Sequence, residues 1–194
     1  MNQEMPFIQA DTVLATPWRN GGGRTRELFA WPPGPDWQLR VSLADIDADG
    51  PFSAFPGVQR YFAVLQGAGV QLTLAGQAQR LTSADDALAF DGALAPGCEL
   101  LAGPTRDLNL MLRGLAGEMH RTERPLSPRW PWRAVFCAGP ALLQLPTGPA
   151  QPLAARCLRL ALPPGNLRLQ RLDAQPAFWL GAEIPVQVEQ TPSS

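Results

Sequence analysis

Short segments of alternating apolar and polar residues recur along this chain, and glycine or proline interrupts each of them within a few residues. In residues 37–44 the apolar side chains occupy every second position, and residues 106–113 repeat the pattern. A period of two is typical of a strand with one buried face. No stretch has a convincing helical period, and 21 prolines and 18 glycines supply the turns. The pattern predicts an all-β fold, either a sandwich or a barrel.

Charge and length limit the classes of function. The net charge of −1 provides no field that would draw the chain to nucleic acid or to an anionic membrane, so neither is expected as a partner. The 194 residues, 45% of them hydrophobic, suffice for one large β domain or two small ones. No run approaches the roughly 20 apolar residues of a membrane span.

The cysteines and the first residues indicate the compartment. Cys98, Cys137 and Cys157 are odd in number, lack a metal-binding spacing and lie in apolar surroundings, which predicts buried thiols in a reducing environment. Residues 1–10 lack the basic start and apolar centre of a signal peptide. The expected location is the cytoplasm.

The segment from residue 17 to residue 27 combines three consecutive glycines with several charged side chains. Asn20 precedes the glycines, and arginines flank them on both sides. Glycine amides beside guanidinium groups could bind a carboxylate or phosphate. An ordinary hairpin connection with solvated arginines explains the glycines equally well. A Walker loop and a dinucleotide fingerprint are excluded, because no Gly-Lys-Ser/Thr and no βαβ pattern is present.

The string Trp18-Arg19-Asn20-Gly21-Gly22-Gly23, followed by Thr25-Arg26-Glu27, resembles the signature of the HutD/Ves family. These are cupin-fold proteins associated with bacterial histidine utilisation. The similarity extends to residues 52–60, 90–92 and 103–111 and weakens beyond Arg113.

The resemblance implies a bicupin, with two RmlC-like barrels packed as one unit in a single chain. The first barrel would span residues 1–113 and carry the glycine-rich ligand loop. Residues 114–133, rich in arginine, proline and tryptophan, read as a crossover in which 115–121 could form a short helix. Residues 134–194 would form a degenerate second barrel ending in a strand at 184–188.

The metal ligands of a typical cupin are missing from this sequence. Counting back from the hairpin at Gly67 places the usual glutamate at Arg60 and the paired histidines at Ala54 and Pro56. Divalent metals require imidazole, carboxylate or thiolate donors, and these side chains supply none. His120, in the crossover, is more typical of a surface or capping residue. No metal and no other cofactor is expected.

A guanidinium in place of a metal-binding carboxylate favours an anion in the pocket. An ion pair of Arg60 with Glu27 or Asp107 is the alternative explanation for its presence. The segment and the pocket together give the predicted ligand-binding residues: Trp18, Asn20, Gly21, Gly22, Gly23, Thr25, Arg26, Glu27, Phe55, Arg60, Asp107 and Asn109.

Three functions follow, in order of preference. The first is a metal-free, non-catalytic protein that binds a small anionic metabolite, such as an intermediate of histidine degradation, and modulates histidine utilisation. The second is a metal-independent enzyme acting on a carboxylated metabolite, with Glu27 or Asp107 as general base. The third, a nucleic-acid regulator, rests only on the arginines and tryptophans of residues 121–133. The sequence leaves open whether the protein forms a homodimer.

Overall fold

A computed structural model describes residues 7–184, which form an all-β fold of eighteen strands and two 3₁₀ turns, Ala10–Thr12 and Gly92–Leu94. The all-β prediction is confirmed. The described residues contain no helix that could span a membrane. The strands are β1 (Phe7–Gln9), β2 (Thr16–Pro17), β3 (Gly23–Trp31), β4 (Leu39–Ile46), β5 (Gly50–Pro51), β6 (Val58–Gln66), β7 (Val70–Leu74), β8 (Gln77–Leu81), β9 (Leu88–Asp91), β10 (Gly97–Leu100), β11 (Thr105–Arg113), β12 (Gly117–Arg121), β13 (Trp132–Cys137), β14 (Ala141–Gln144), β15 (Gln151–Leu153), β16 (Cys157–Arg159), β17 (Arg168–Arg171) and β18 (Ala177–Ala182).

The strands form four sheets that fall into two similar sets. A six-stranded sheet, β2-β3-β4-β11-β6-β9, accompanies a four-stranded sheet, β5-β10-β7-β8. A five-stranded sheet, β1-β16-β13-β18-β12, accompanies a three-stranded sheet, β15-β14-β17. The pairings among β6 to β11 recur among β13 to β18. Strand β6 lies between β9 and β11, and strand β13 lies in the same way between β16 and β18.

A central apolar core joins the two sets. It contains alternate residues of β4 and β11 from the six-stranded sheet and of β13 and β18 from the five-stranded sheet. The rings of Phe29 and Trp132 stack across it with centroids 5.6 Å apart. Two further cores fill the interiors of the first and second set. One face of the six-stranded sheet therefore packs against the central core, and its other face lines the interior of the first set.

Two segments differ from the sequence predictions. Residues 117–121 of the crossover form strand β12 and pair with β18, so the short helix considered for 115–121 is absent. Strand β1, assigned to the first barrel, pairs with β16 in the five-stranded sheet. Alternation alone does not reveal the partner of a three-residue strand. The strand predicted at 184–188 lies beyond the described residues, apart from Ile184.

Candidate functional site

A cavity of about 650 Å³ opens on the interior face of the six-stranded sheet, next to the glycine-containing loop. Four adjacent strands, β3, β4, β11 and β6, direct alternate side chains into it, because side chains on one face of a sheet recur every second residue. The loop before β3 and the segment after β5 close the remaining sides. The residues of these four strands that line the cavity are Thr25, Glu27, Arg40, Ser42, Ala44, Ile46, Arg60, Phe62, Asn109 and Met111.

Arg60 is the buried charge of this cavity, with 6% of its surface exposed. Its Nη2 donates a hydrogen bond of 3.0 Å to Asn109 Oδ1, and Nε has no hydrogen-bond partner. Three phenylalanine rings surround the guanidinium carbon: the centroids of Phe52 and Phe90 lie 5.1 Å away and that of Phe55 lies 5.7 Å away. The aromatic faces stabilise the cation in part but accept no conventional hydrogen bond.

No carboxylate pairs with Arg60 anywhere in residues 7–184. Glu27 Oε2 lies 2.8 Å from Arg40 Nε instead. Asp107 Oδ2 accepts a hydrogen bond of 2.8 Å from the Thr105 hydroxyl, and the Asp107 side chain does not line the cavity. The ion pair considered as an alternative from the sequence is therefore absent from this structure.

Burial and the positive charge of Arg40 lower the pKa of Arg60 to about 10. The guanidinium consequently remains protonated at neutral pH. Burial has the opposite effect on a carboxyl group, and it raises the pKa of Asp107 well above its ordinary value. The arrangement thus combines a buried cation open to the cavity with a buried acid held away from it.

The glycine loop contributes side chains to the cavity rather than free amides. Trp18 and Asn20 line the cavity, whereas Gly21, Gly22 and Gly23 do not. The Gly21 amide donates to the Trp18 carbonyl, and the Gly22 amide donates to Asn20 Oδ1. Because these donors are already satisfied within the loop, the predicted backbone seat for an anion is not formed.

The third glycine has a packing role. A Cβ atom on Gly23 would lie 2.3 Å from the Asp45 carbonyl oxygen and 3.1 Å from the Trp18 ring. Trp18 Nε1 in turn donates a hydrogen bond of 2.7 Å to the Thr25 hydroxyl. Close approach of the loop to β4 therefore requires glycine here and holds Trp18 at the edge of the cavity.

Arg26 does not belong to the cavity, contrary to the prediction. It lies on the opposite face of β3 from Thr25 and Glu27, and its Nη1 is 2.6 Å from Asp45 Oδ2. Arg106 Nε, at 2.6 Å, and Arg24 Nε, at 2.8 Å, contact the same carboxylate. Hydrogen bonds from the three guanidinium groups keep the pKa of Asp45 well below its usual range, although burial opposes them.

Of the predicted site residues, Trp18, Asn20, Thr25, Glu27, Phe55, Arg60 and Asn109 come together at the cavity. Arg26, Asp107 and the three glycines lie elsewhere. Sequence reasoning missed Arg40 and Ser42, which line the cavity from β4. The signal was available, because both are the polar residues of an alternating strand whose other face is apolar.

A metal centre has no counterpart among the described residues, where no cluster of three or more histidine, cysteine or acidic side chains occurs. His120, expected at the surface, is buried on β12 with 6% exposure, and its Nδ1 lies 2.9 Å from the Arg121 carbonyl oxygen. The three cysteines are buried free thiols, as predicted.

The HutD family profile matches residues 10–148. The chain belongs to the HutD family. An uncharacterized 21.2 kDa protein in the hutC 3′ region of Pseudomonas putida is 38% identical over 56% of this chain and 58% of its own length. Protein Ves of Cronobacter sakazakii is 33% identical over 56% of this chain and 61% of its own. The chain therefore spans about three fifths of the length of these curated relatives.

A solved structure extends the likeness to nearly the whole fold. HutD from Pseudomonas fluorescens SBW25, in a formate condition, superposes with a TM-score of 0.76 at 25% identity and covers 91% of this chain and 98% of that one. The fold is all-β and cupin-like, and the suspected membership of the HutD/Ves family is confirmed.

Proposed function

We propose that this chain is a binding protein for a small carboxylate anion, with Arg60 at the centre of its site. One observation carries the proposal: Arg60 is buried and no carboxylate of residues 7–184 lies within ion-pair distance of it. An isolated buried charge is unfavourable, whereas a charge paired and hydrogen-bonded in the same place is tolerated. A ligand carboxylate supplies the missing partner.

The cavity favours a ligand with two acidic groups. Arg60 and Arg40 line the same space, and they are close enough for Arg40 to lower the pKa of Arg60. One carboxylate would bind Arg60 and Asn109, and a second would approach Arg40, whose pairing with Glu27 it would share. Phe55, Phe62 and Met111 offer an apolar wall to the carbon chain between them. A small dicarboxylate has these features.

The family relationship supports a role in histidine utilisation. The Pseudomonas putida relative is named for the hutC 3′ region, and the solved relative is named HutD. We infer that the chain modulates histidine breakdown in the cytoplasm by binding an intermediate of the pathway, without catalysing a reaction. The repeated pairing of β6 to β11 and β13 to β18 supports a bicupin architecture for this role.

Catalysis on a carboxylated metabolite has less support. Glu27 lines the cavity, but its carboxylate is engaged in an ion pair with Arg40. Asp107, the other candidate base, does not reach the cavity. Neither side chain is placed as an unengaged base beside the space where a substrate would lie.

Isothermal titration with formate, succinate and glutarate tests the binding function. The Arg60→Ala variant should bind a dicarboxylate roughly 30-fold more weakly or worse, since a charge-assisted bidentate contact contributes about 2 kcal/mol or more. Arg60→Lys should restore part of the affinity, because lysine retains the charge but loses the fork. Arg80→Ala, an exposed arginine on β8, is the matched control and should bind as wild type does. If folded Arg60→Ala binds as tightly as wild type, the assignment is wrong.

A further inference from the structure

The interior of the second set of strands contains its own buried arginine. Arg133 lies on β13, the strand that corresponds to β6 in the repeated pairing, and it is 3% exposed. It shares the face of Val135 and Cys137, which belong to the interior core of that set. Its guanidinium makes no hydrogen bond and no ion pair with any side chain of residues 7–184, and its Nε is buried without an acceptor.

Two tryptophan N–H groups near Arg133 also lack a hydrogen-bond acceptor. Gly181 pairs directly with Arg133, and Trp179 is two residues earlier on the same face of β18. The Trp130 ring covers Gly181, since a Cβ there would lie 2.9 Å from Trp130 Nε1. The indole N–H groups of Trp130 and Trp179 are both buried without an acceptor. Arginine and tryptophan side chains can only donate hydrogen bonds.

The neighbouring charged side chains have partners of their own. Glu118 pairs with Gly181 from the other side, but its Oε1 accepts from the Ser127 amide and lies 3.7 Å from His120 Nε2. Arg159, buried on β16 opposite Val135, donates a hydrogen bond to Gln151 Oε1.

We propose that Arg133, Trp130 and Trp179 form a second anion-binding site, which takes a small oxyanion inside the second set of strands. Buried donors without acceptors are rare in folded proteins and call for a specific partner. An oxyanion accepts hydrogen bonds from all three groups and neutralises the guanidinium. A water molecule would satisfy the donors but leave the charge unpaired. The chemistry is shared by carboxylates and by tetrahedral inorganic anions.

This site uses no residue of the Arg60 cavity, so each can be tested with the other disabled. In an Arg60→Ala background, thermal unfolding is followed while sodium sulfate, phosphate or acetate is titrated at constant ionic strength against sodium chloride. A specific site produces a saturable rise of the midpoint, because ligands that bind only the folded state stabilise it by mass action. Preferential exclusion of sulfate raises the midpoint without saturation. The anion with the lowest half-saturation concentration identifies the class.

Adding Arg133→Met should abolish the saturable rise, and Trp179→Phe should raise the half-saturation concentration several-fold while preserving the aromatic ring. Arg168→Met, an exposed arginine on β17, is the matched control and should leave the response unchanged. Crystals of the full chain grown in selenate should show anomalous density beside Arg133. The proposal would be refuted if the saturable rise of the midpoint persisted after Arg133→Met and after Trp179→Phe. It would also be refuted if the Arg60→Ala protein, with no further substitution, showed no saturable rise. Trp179→Phe retains the test if Arg133→Met does not fold.

Discussion

Asn109 Oδ1 accepts a 3.0 Å hydrogen bond from Arg60 Nη2, so an uncharged amide is a side-chain partner of this buried guanidinium. The two residues lie on adjacent strands, β11 and β6, and Asn109 pairs there with Phe62. An amide orients the guanidinium without neutralising it. The free protein therefore contains a positioned cation whose charge remains available to a ligand.

Replacing Arg60 by methionine should not lower the unfolding free energy of the ligand-free protein by more than about 1 kcal/mol relative to wild type. An apolar side chain of similar length removes the cost of burying an unpaired charge. A saturating dicarboxylate should stabilise wild type but not this variant. Urea unfolding with and without succinate measures both effects. A loss above about 3 kcal/mol without ligand would indicate that Arg60 serves mainly the fold.

Asp45→Asn should destabilise the protein by about 3 kcal/mol, since three arginines lose the carboxylate that they share in a mostly buried place. The lowered pKa of Asp45 means that its contribution is complete above the ordinary aspartate pKa of about 4 and is lost as the pH falls below it. Urea unfolding between pH 2 and pH 7 should show a smaller acid dependence in the variant. Asp47→Asn, whose carboxylate is 3.9 Å from Arg24 and half-exposed, is the control with little expected effect.

The stability of the Asp107→Asn variant should increase relative to that of wild type as the pH rises. The pKa of Asp107 is raised in the folded state, so the unfolded chain releases the proton first, and wild type loses up to about 1.4 kcal/mol per pH unit above the ordinary pKa. Asparagine carries no such proton and can still accept from the Thr105 hydroxyl. Unfolding free energies measured from pH 4 to pH 8 test the sign, with exposed Asp36→Asn as control. Parallel pH curves for wild type and Asp107→Asn would contradict the expectation.

The neighbouring glycines of the loop should respond differently to the same substitution. Gly23→Ala places a Cβ 2.3 Å from a backbone oxygen and should destabilise by about 2 kcal/mol or more. Gly22→Ala meets only the Asn20 side chain and the Ala48 carbonyl, at 3.5 Å or more, and should change stability by less than about 1 kcal/mol. Thermal unfolding of the pair decides the matter. Equal stability of the two variants would show that the loop does not require its close approach.

The fold and part of the site can be predicted from the sequence because strands carry a local signal. Strands are specified locally by alternation, which places Thr25 and Glu27 on one face of β3 and Arg26 on the other. The same alternation therefore excludes Arg26 from a site that contains Glu27, contrary to the prediction from the glycine-rich segment. Arg60 followed from family spacing, not from its own environment.

Other features depend on contacts that no local pattern encodes. The pairing of β3 with β4 shifts between Glu27 and Phe29, so Phe29 and Trp31 lie on the face opposite Thr25 and Glu27 and join the central core. Continuous alternation would place all four on one face. An extra residue in a strand reverses every side chain after it. The unsatisfied donors around Arg133 likewise arise only when distant strands pair.

The pairing of β1 with β16 affects how the protein can be made. Asp11, just after β1, forms its ion pair with Arg156, 145 residues away. At about 5 to 20 residues per second, a ribosome needs on the order of ten seconds or more to synthesise that partner after the first strand has emerged. During that interval β1 has no sheet to join. We expect docking of the amino-terminal strand to be a late step of folding, after the first set of strands has already assembled around Arg60.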